Sequence, residues 1–340
     1  MTGEAPRDAM TTPADIAAGR ISVPLAAVRP SLVGGVVAIG NFDGVHRGHQ
    51  AVLSVAREIA RERGLPLVAL TFEPHPRLLF RPDQPVFRLT DPATKARALA
   101  ALGFDGMVVA TFDREFAAQT ADAFVDHVLV EKLGVAHALI GYDFHFGRAR
   151  AGTPAFLVEA GDRHGFGVTV AAPLKDQSGG PVSSTRIRDA LSVGDVATAN
   201  ALLGWRWQVT AAVGHGDKRG RDLGYPTANL RLPEECALAH GIYAVRARVD
   251  GRPVDGVASF GRRPTFDDGA PLFEVHLFDF SGDLYGKALT VSLVAYQRPE
   301  LKFDGVAALV RQIDADAAEA RRRLAELAPL SRLDEAMTFG

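Results

Sequence analysis

The sequence predicts an α/β domain with a parallel sheet, followed by an antiparallel β domain with a C-terminal helix. Up to about residue 204, short apolar runs alternate with segments of helical periodicity, which is typical of a parallel sheet with helices on both faces. From residue 206, one strand-like run follows another, with Gly, Pro and Asp between them. The second pattern predicts an antiparallel barrel or sandwich. We place the two domains at residues 20–204 and 205–330.

The first predicted strand and helix are the clearest pair in the N-terminal half. VVAI (36–39) is a short apolar run of the kind that forms a buried strand. In the segment that follows, apolar residues recur at helical spacing and charged residues occupy the other face. Gly64 and Pro66 are expected to end this helix. Its apolar positions are Val52, Leu53, Ala56, Ile59 and Ala60.

The alternation of strands and helices continues to residue 204. Open parallel sheets bind their ligands at the carboxyl ends of the strands, and the segment 40–49, just after the first strand, lies at such a position. Later strands are predicted at 67–72, 107–112, 137–141 and 166–172. Later helices are predicted at 90–102, 121–134, 153–165 and 188–204.

The second half contains short runs that are rich in β-branched and aromatic residues. Its strands are predicted at 207–213, 242–249, 253–260, 273–278 and 288–296. The helix that closes the chain is expected to be amphipathic, with a single apolar face. That face is formed by Val306, Leu309, Val310 and Ile313.

The bulk composition excludes several classes of protein. The chain has 340 residues, and its net charge of −2 provides no overall field that would attract nucleic acid or an anionic membrane. The single cysteine, Cys236, allows no intramolecular disulfide. No apolar run approaches the ~20 residues of a membrane span, and the first 30 residues lack the apolar core of a secretory signal. We expect a cytoplasmic protein that acts on small molecules, with a loose tail to about residue 18. The sequence leaves its oligomeric state open.

The stretch GNFDGVHRGHQAVL (40–53) carries the chemistry of the first half. A helix that begins just after Gly48 points free backbone N–H groups and a positive dipole end at the preceding loop. His46 and His49 are spaced to share one face of a helical turn, and the glycines allow phosphate to approach closely. We therefore infer a site for the phosphate groups of a nucleotide. Metal ligation by the histidine pair and ordinary surface or core histidines are the two alternatives.

GNFDGVHRGH resembles the nucleotidyltransferase signature of bacterial bifunctional riboflavin kinase/FAD synthetases. Further motifs of that family have similar segments in this sequence, in the same order, over about residues 33–325. Their joint occurrence makes the resemblance specific. In the first half they are TFEPHP (71–76), GYDFHFGRARAGT (141–153) and SSTRIRDAL (183–191). In the second half they are GHGDKRGRDLGYPTANL (214–230), which is similar to the ATP-binding segment, and then GIYAV, FGRRPTF, FEVHLFDFSGDLYGK and QRPELKFDGVAAL.

The resemblance implies an FMN adenylyltransferase with a Rossmann-like fold in the first half. FMN and ATP would give FAD and pyrophosphate, and the protein would supply positioning and charge stabilisation. The resemblance assigns His46 and His49 to the ATP phosphates, and it places His75 and Asp143 near the flavin. The adjoining nucleotide loop would be shaped by Asn41, Phe42, Asp43 and Gly44.

The SSTRIR segment is expected to form a second phosphate site at another helix start. Hydroxyls and backbone amides bind phosphate oxygens, and arginine offers a rigid fork for them. The simpler alternative is a helix N-cap, and the two roles are compatible. The residues concerned are Ser183, Ser184, Thr185, Arg186 and Arg188.

The resemblance implies a riboflavin kinase in the second half, built on a six-stranded antiparallel barrel. Riboflavin and ATP would give FMN and ADP, which requires a phosphate clamp, Mg²⁺ and a positioned hydroxyl. In PTAN, Thr227 and Asn229 alternate as on a strand and offer the hard oxygens that Mg²⁺ prefers. The clamp residues would be Gly216, Lys218 and Arg221.

Glu274 lies in an apolar strand-like run, where a carboxylate is either an outward polar residue or a placed base. The resemblance makes it the general base that takes the proton from the riboflavin 5′-hydroxyl. Arg298 and Phe303 match flavin-proximal positions of the family. The chain departs from the family pattern in its longer tail before residue 20 and in Val182, where isoleucine is usual, and neither change affects an assigned role.

Three other interpretations compete with a bifunctional enzyme. The first is an FAD synthetase whose barrel only binds flavin, and the set of Thr227, Asn229 and Glu274 argues against it. The second is a flavin-binding or regulatory module without catalysis, which the presence of both the histidine pair and PTAN disfavours. The third is a different nucleotidyltransferase, such as a cytidylyltransferase, suggested by the histidine signature alone. The kinase-like half makes flavin the better substrate.

Overall fold

The computed structural model describes residues 21–176, 179–215, 224–262 and 271–340. Contacts divide the chain into two compact units. The first unit is formed by the described parts of Met1–Pro85 and Pro92–Lys175, and the second by those of Val86–Asp91 and Asp176–Gly340. The segment before residue 204 therefore groups by contact with the second unit, although its sequence pattern continues that of the first. The functional boundary at 204–205 stays a prediction.

A six-stranded parallel sheet forms the centre of the first unit. Its strands are β1 (Ser22–Pro24), β2 (Val36–Ile39), β3 (Leu67–Glu73), β4 (Gly106–Thr111), β5 (His137–Gly141) and β6 (Gly167–Ala171). They are ordered β1-β4-β3-β2-β5-β6, and each pairing is parallel. The sequence pattern predicted this sheet except for β1, a three-residue edge strand that is too short to show a periodicity.

The strand order reverses at β2. From β2 the chain adds β3 and β4 on one side and then places β5 and β6 on the other. In parallel sheets such a reversal opens a crevice at the carboxyl ends of the strands, and ligands bind there. The loop that follows β2 contains His46, so the fold brings the histidine motif to this crevice.

Helices connect the strands of the first unit. The first of them, α1 (Arg47–Arg63), buries Leu53, Ala56 and Ala60 and ends at Gly64, whose φ of 64° lies in the left-handed region that favours glycine. The prediction placed its start after Gly48, whereas the helix begins at Arg47. The other helices are α2 (Pro76–Phe80), α3 (Pro92–Ala101), α4 (Arg114–Ala118), α5 (Ala121–Ala123), which continues as a π-helical segment over Phe124–Lys132, and α6 (Pro154–His164).

A closed antiparallel barrel forms the centre of the second unit. Its strands are β7 (Gln208–Gly214), β8 (Ala228–Arg231), β9 (Gly241–Val249), β10 (Arg252–Arg262), β11 (Pro271–Leu277) and β12 (Ala288–Arg298). Around the barrel they follow the order β10-β11-β8-β7-β12-β9, and β9 pairs with β10 to close it. The sequence left a barrel and a sandwich open, and closure decides for the barrel because it pairs each of these strands on both sides.

Four α-helices accompany the barrel in the described residues: α7 (Ser184–Ser192), α8 (Val196–Leu203), α9 (Val306–Ala325) and α10 (Arg332–Asp334), which continues as a π-helical segment over Glu335–Phe339. The prediction of one helix over 188–204 is wrong, because the chain breaks between α7 and α8 at Gly194. This glycine has a φ of 79°, and a Cβ there would lie 3.1 Å from the ring of Tyr296.

The buried face of α9 is shifted from the predicted one. Val306 is 62% exposed, while Leu309 and Ile313 are half-buried. The fully buried positions come later in the helix, at Ala320 and Leu324, which pack against barrel residues such as Val257. The face was predicted from the first turns alone, where the helix has not yet reached the barrel core.

The C-terminal end of the chain is anchored to the barrel through a buried ion pair. Asp334 has no exposed surface, and its carboxylate accepts hydrogen bonds from the guanidinium and the backbone N–H of Arg206, the latter at 2.9 Å. It also accepts from the hydroxyl of Thr338 at 2.8 Å and from the N–H of Leu330 at 2.9 Å. Removing a carboxylate with this many hydrogen bonds lowers the stability of the fold, because its partners then stay buried without an acceptor.

Replacing Asp334 with Asn should destabilise the second unit by about 3–5 kcal/mol, because the guanidinium of Arg206 is left buried without its counter-charge. Urea unfolding followed by tryptophan fluorescence measures this unit selectively, since both tryptophans, Trp205 and Trp207, lie in it. The control is Asp279→Asn, which breaks the exposed ion pair with Arg321 and should leave the midpoint almost unchanged. Equal shifts in the two variants would contradict the prediction.

Candidate active sites

The loop between β2 and α1 has a backbone conformation that residues other than glycine seldom adopt. Phe42 and Val45 have φ values of 47° and 40°, and Gly44 has a φ of 86°. Both non-glycine residues are buried, at 3% and 0% exposure. Residues held in the left-handed region carry strain that the surrounding structure must compensate, and such strain is concentrated at functional sites. The predicted nucleotide loop is therefore a fixed, packed structure.

His46 caps α1 with its side chain. Its Nδ1 accepts a hydrogen bond from the backbone N–H of His49 at 3.2 Å. An imidazole nitrogen that accepts has no proton, so in the neutral ring the proton lies on Nε2, which can donate to a phosphate oxygen. His46 is therefore the N-cap of α1, and its role as a hydrogen-bond donor for an anion stays a prediction.

The two imidazole rings lie face to face. Their centroids are 3.6 Å apart and their planes differ by 14°, and Phe42 packs edge-on against His49. Burial, followed by the charges of His46 and Lys95, holds the pKa of His49 well below its ordinary value of 6.5. His49 is thus neutral at pH 7, and its Nδ1 is buried with no hydrogen-bond partner among the described residues. The pair can offer N–H groups to an anion, while the positive potential comes from the N-terminus of α1.

A second buried group belongs to the same edge of the sheet, and the sequence argument missed it. Lys95 of α3 is only 2% exposed. Its Nζ donates to Glu73 Oε1 at 3.0 Å and to Thr71 Oγ1 at 3.2 Å. The signal was present in the sequence, because Lys95 falls on the same helical face as Leu99, which is fully buried.

The predicted flavin residues of the first unit lie on loops at the same edge. His75 follows β3 and caps α2, with its Nδ1 accepting from the N–H of Arg77 at 3.2 Å. Asp143 follows β5 and is exposed. Strands β3 and β5 are the two neighbours of β2, so the three loops leave adjacent strands at their carboxyl ends.

The SSTRIR segment begins α7 and groups with the second unit. Ser183 is the N-cap of this helix and accepts from the N–H of Arg186 at 3.4 Å. The guanidinium of Arg186 pairs with Asp176 at 2.7 Å, and the Nε of Arg188 donates to the carbonyl of Phe87 at 2.5 Å. The capping alternative is therefore confirmed for Ser183. The phosphate role of Ser183, Ser184, Thr185 and Arg188 stays a prediction.

In the barrel, strand register brings two of the predicted kinase residues together. Glu274 on β11 lies directly opposite Asn229 on β8, and residues paired in this way point to the same face with Cβ atoms about 5 Å apart. Asn229 is 7% exposed, and its Oδ1 is buried without a hydrogen-bond partner among the described residues. Thr227 lies just before β8, and its carbonyl oxygen accepts from Asn229 Nδ2 at 3.5 Å.

Two other predicted residues of the barrel, Arg298 and Phe303, lie at the end of β12 and just after it. Arg298, at the end of β12, forms a two-bond ion pair with Asp316 of α9, at 2.8 and 2.5 Å. Phe303 is half-buried in the segment between β12 and α9. The clamp residues Gly216, Lys218 and Arg221 lie outside the described residues. Among the described residues, no three His, Cys, Asp or Glu side chains are grouped so that they could hold a metal ion.

Comparison with known proteins gives a family for both halves. The FAD synthetase family matches residues 29–186, and the riboflavin kinase family matches residues 203–324. A bifunctional riboflavin kinase/FMN adenylyltransferase of Pseudomonas fluorescens is 43% identical over 86% of this chain and 94% of its own length. This chain belongs to the family of bifunctional riboflavin kinase/FMN adenylyltransferases. The sequence resemblance is confirmed.

Other members of the bifunctional family show the same correspondence over nearly their whole length. The Escherichia coli K12 protein is 41% identical over 85% of this chain and 92% of its own. A solved structure described as a macrolide-efflux protein from Streptococcus pneumoniae has a TM-score of 0.78 and 34% identity, over 89% of this chain and 99% of that one.

In the part of this chain that the structure describes, no helix is long and apolar enough to cross a membrane.

The state of His49 is directly measurable. NMR titration of the histidine ring protons should give His49 a pKa below 6.5, because burial and the neighbouring charges disfavour its protonated form. The unfolded chain takes up a proton on this residue near pH 6.5 and the folded chain does not. His49 therefore lowers stability as the pH falls below about 6.5 and has no such effect above it.

The spectrum of His49→Gln identifies the signal and serves as the control. His137 also has a lowered pKa because of its burial, so its signal should remain in the variant while that of His49 disappears. A His49 signal that titrates at or above pH 6.5 would contradict a neutral His49.

Proposed function

We propose that the chain makes FAD from riboflavin in two ATP-dependent steps, with the barrel forming FMN and the parallel α/β unit adenylylating it. One observation favours two activities over an FAD synthetase with a barrel that only binds flavin. Glu274 lies opposite Asn229, whose buried amide oxygen has no hydrogen-bond partner among the described residues. This pair of oxygen-bearing side chains supports a site for Mg²⁺ and a reacting hydroxyl.

For adenylyl transfer, a phosphate oxygen of FMN attacks the α-phosphorus of ATP, and the bond to pyrophosphate breaks. The nucleophile is already an anion, so positioning and charge stabilisation suffice. We assign to His46 and His49 hydrogen bonds to the ATP phosphates at the N-terminus of α1. The loop residues that shape the nucleotide site are Asn41, Phe42, Asp43 and Gly44.

Two further groups complete this assignment. At the N-terminus of α7, backbone N–H groups together with Ser184, Thr185 and Arg188 would bind phosphate, while Ser183 caps the helix. His75 and Asp143 would contact the flavin, which is supported by their positions after the two strands that flank β2.

For phosphoryl transfer, Glu274 would take the proton from the 5′-hydroxyl of riboflavin as the oxygen attacks the γ-phosphorus of ATP. Its neighbours Phe273 and Val275 are buried, so the strand that carries it is held firmly by packing. By resemblance, Gly216, Lys218 and Arg221 would clamp the phosphates, and Arg298 and Phe303 would lie near the flavin.

Thr227 and Asn229 are the residues that would hold Mg²⁺. The buried Oδ1 of Asn229, which has no hydrogen-bond partner among the described residues, fits this role, because hard oxygens are the ligands that Mg²⁺ prefers. When bound, the ion would neutralise negative charge on the ATP phosphates.

We also propose functional domains at 20–204 and 205–330 and a cytoplasmic location, which the composition supports.

A chromatographic time course tests the two activities. Purified protein is mixed with riboflavin, ATP and Mg²⁺, and riboflavin, FMN and FAD are followed. We expect FMN to appear first and FAD to follow. FAD made from added FMN, with no FMN made from riboflavin, would reduce the barrel to a flavin-binding module. FMN that accumulates without FAD would count against the histidine site.

Single substitutions should separate the two activities. Replacing His49 with Ala should lower FAD formation from FMN by about 10²–10³-fold, because one preorganised donor to the developing charge is lost. FMN formation should remain within about twofold of the unchanged chain, because the same chain carries the separate kinase site.

Replacing Glu274 with Gln should give the opposite result. Without the carboxylate, FMN formation should fall by about 10²–10⁴-fold, while FAD still forms from added FMN. The two variants are measured side by side in both assays, so each serves as the control for the other. Equal damage to both activities by either substitution would defeat the assignment of two sites.

A further inference from the structure

Lys95 is buried at the carboxyl edge of the parallel sheet. A lysine is almost never fully buried unless its charge is paired, and here Glu73 supplies the pairing carboxylate at 3.0 Å. An ion pair of this kind adds little stability compared with well-packed apolar residues. The presence of a charge in this place therefore points to a role beyond the packing of α3.

The hydrogen bonds that start at Lys95 have a fixed direction. An ammonium group can only donate, so Thr71 Oγ1 accepts from Lys95 Nζ at 3.2 Å. The hydroxyl proton of Thr71 is then directed elsewhere, and it is donated to the carbonyl oxygen of Asn41 at 3.2 Å. Lys95 thus polarises the hydroxyl in the direction of Asn41, because linked hydrogen bonds strengthen one another.

The chain of bonds ends in the histidine loop. Asn41 is the second residue after β2 and immediately precedes Phe42, whose left-handed φ of 47° must be held by its surroundings. Phe42 in turn packs edge-on against the ring of His49, with 5.4 Å between the ring centroids. The hydrogen bond from Thr71 therefore fixes the backbone next to Phe42, and the ring of Phe42 is the one that packs against His49.

We propose that Lys95 is a positioning residue for adenylyl transfer, which acts through the hydroxyl of Thr71 on the backbone of Asn41. It holds the loop after β2 in the conformation that aims the histidine pair at the ATP phosphates. This inference rests on the proposed role of the histidine loop in that reaction. Lys95 itself need not touch the substrate.

Thr71 offers a matched pair of variants. Thr71→Val keeps the shape of the fully buried side chain but removes the hydroxyl, whereas Thr71→Ser keeps the hydroxyl and removes a methyl group. We expect Thr71→Val to lower kcat for FAD formation from FMN by at least about tenfold, because misplaced donors cost catalysis more than binding. The KM values for ATP and FMN should change by less than about threefold. Thr71→Ser should retain kcat within about threefold.

A double-mutant cycle tests whether Lys95 acts through Thr71. Lys95→Met alone should lower kcat for FAD formation, but it should add no loss in a chain that already carries Thr71→Val, because the second change breaks a connection that is already broken. Additive losses would overturn the proposal. Should Lys95→Met fail to fold, the Val and Ser variants of Thr71 decide alone.

Two controls separate this inference from the function on which it rests. FMN formation by the same chains reports the barrel and should stay unchanged in each Thr71 variant. His49→Ala in the same assay reports the histidine loop. If His49→Ala loses FAD formation while Thr71→Val keeps its kcat, only the role of Lys95 is overturned. If His49→Ala retains FAD formation, the histidine loop is not the site, and the inference about Lys95 is overturned with it.

Discussion

Backbone hydrogen bonding between strands positions the functional side chains in both units. In the parallel sheet, each strand ends at the same edge, so the loops after β2, β3 and β5 leave side by side although they are far apart in sequence. In the barrel, antiparallel register places Glu274 opposite Asn229, from segments 45 residues apart along the chain. A shift of one residue in the barrel ladder would turn Glu274 to the opposite face and separate the pair.

The electrostatic potential at the histidine loop depends on burial and on local groups more than on the net charge of the chain. The chain carries a net charge of −2, so attraction of phosphate must come from local dipoles and donors. His49 is kept neutral by burial and by the neighbouring positive charges. The positive character of the site therefore comes from the N-terminus of α1, since the ammonium group of Lys95 is paired with the carboxylate of Glu73. This arrangement avoids the repulsion that two stacked imidazolium rings would suffer at 3.6 Å.

Much of the fold could be predicted from periodicity and spacing. The alternation of apolar runs predicted where the parallel strands lie along the chain. The run of β-type segments predicted a barrel or a sandwich, and closure decides for the barrel. The break at Gly194 was hidden because both α7 and α8 carry apolar residues at helical spacing. Strand β1 was missed because its pairing with β4 is a tertiary contact, and three residues cannot show that preference on their own.

Some residues of the candidate sites could likewise be predicted from the sequence, and others could not. Local motifs predicted roles for His46, His49, Asn229 and Glu274, because each lies in a short segment with a recognisable pattern. Lys95 was missed because its importance lies in its burial and its partners, which no single motif records. Arg298 shows the converse limit. Its motif indicates a position near flavin, yet the structure engages its guanidinium with Asp316, a partner 18 residues away that could not be inferred from spacing.

The contrast between the two sites follows from the two nucleophiles. The phosphate of FMN is already an anion, so a site that joins it to ATP must overcome repulsion between negative groups and has no proton to remove. Neutral donors at the start of a helix suit that task. The 5′-hydroxyl of riboflavin is neutral and must lose its proton as it attacks, so its site requires a base. A carboxylate near the phosphates would be repelled by ATP unless hard-oxygen ligands held a cation beside it. The position of Glu274 opposite Asn229 would meet both requirements on one ladder.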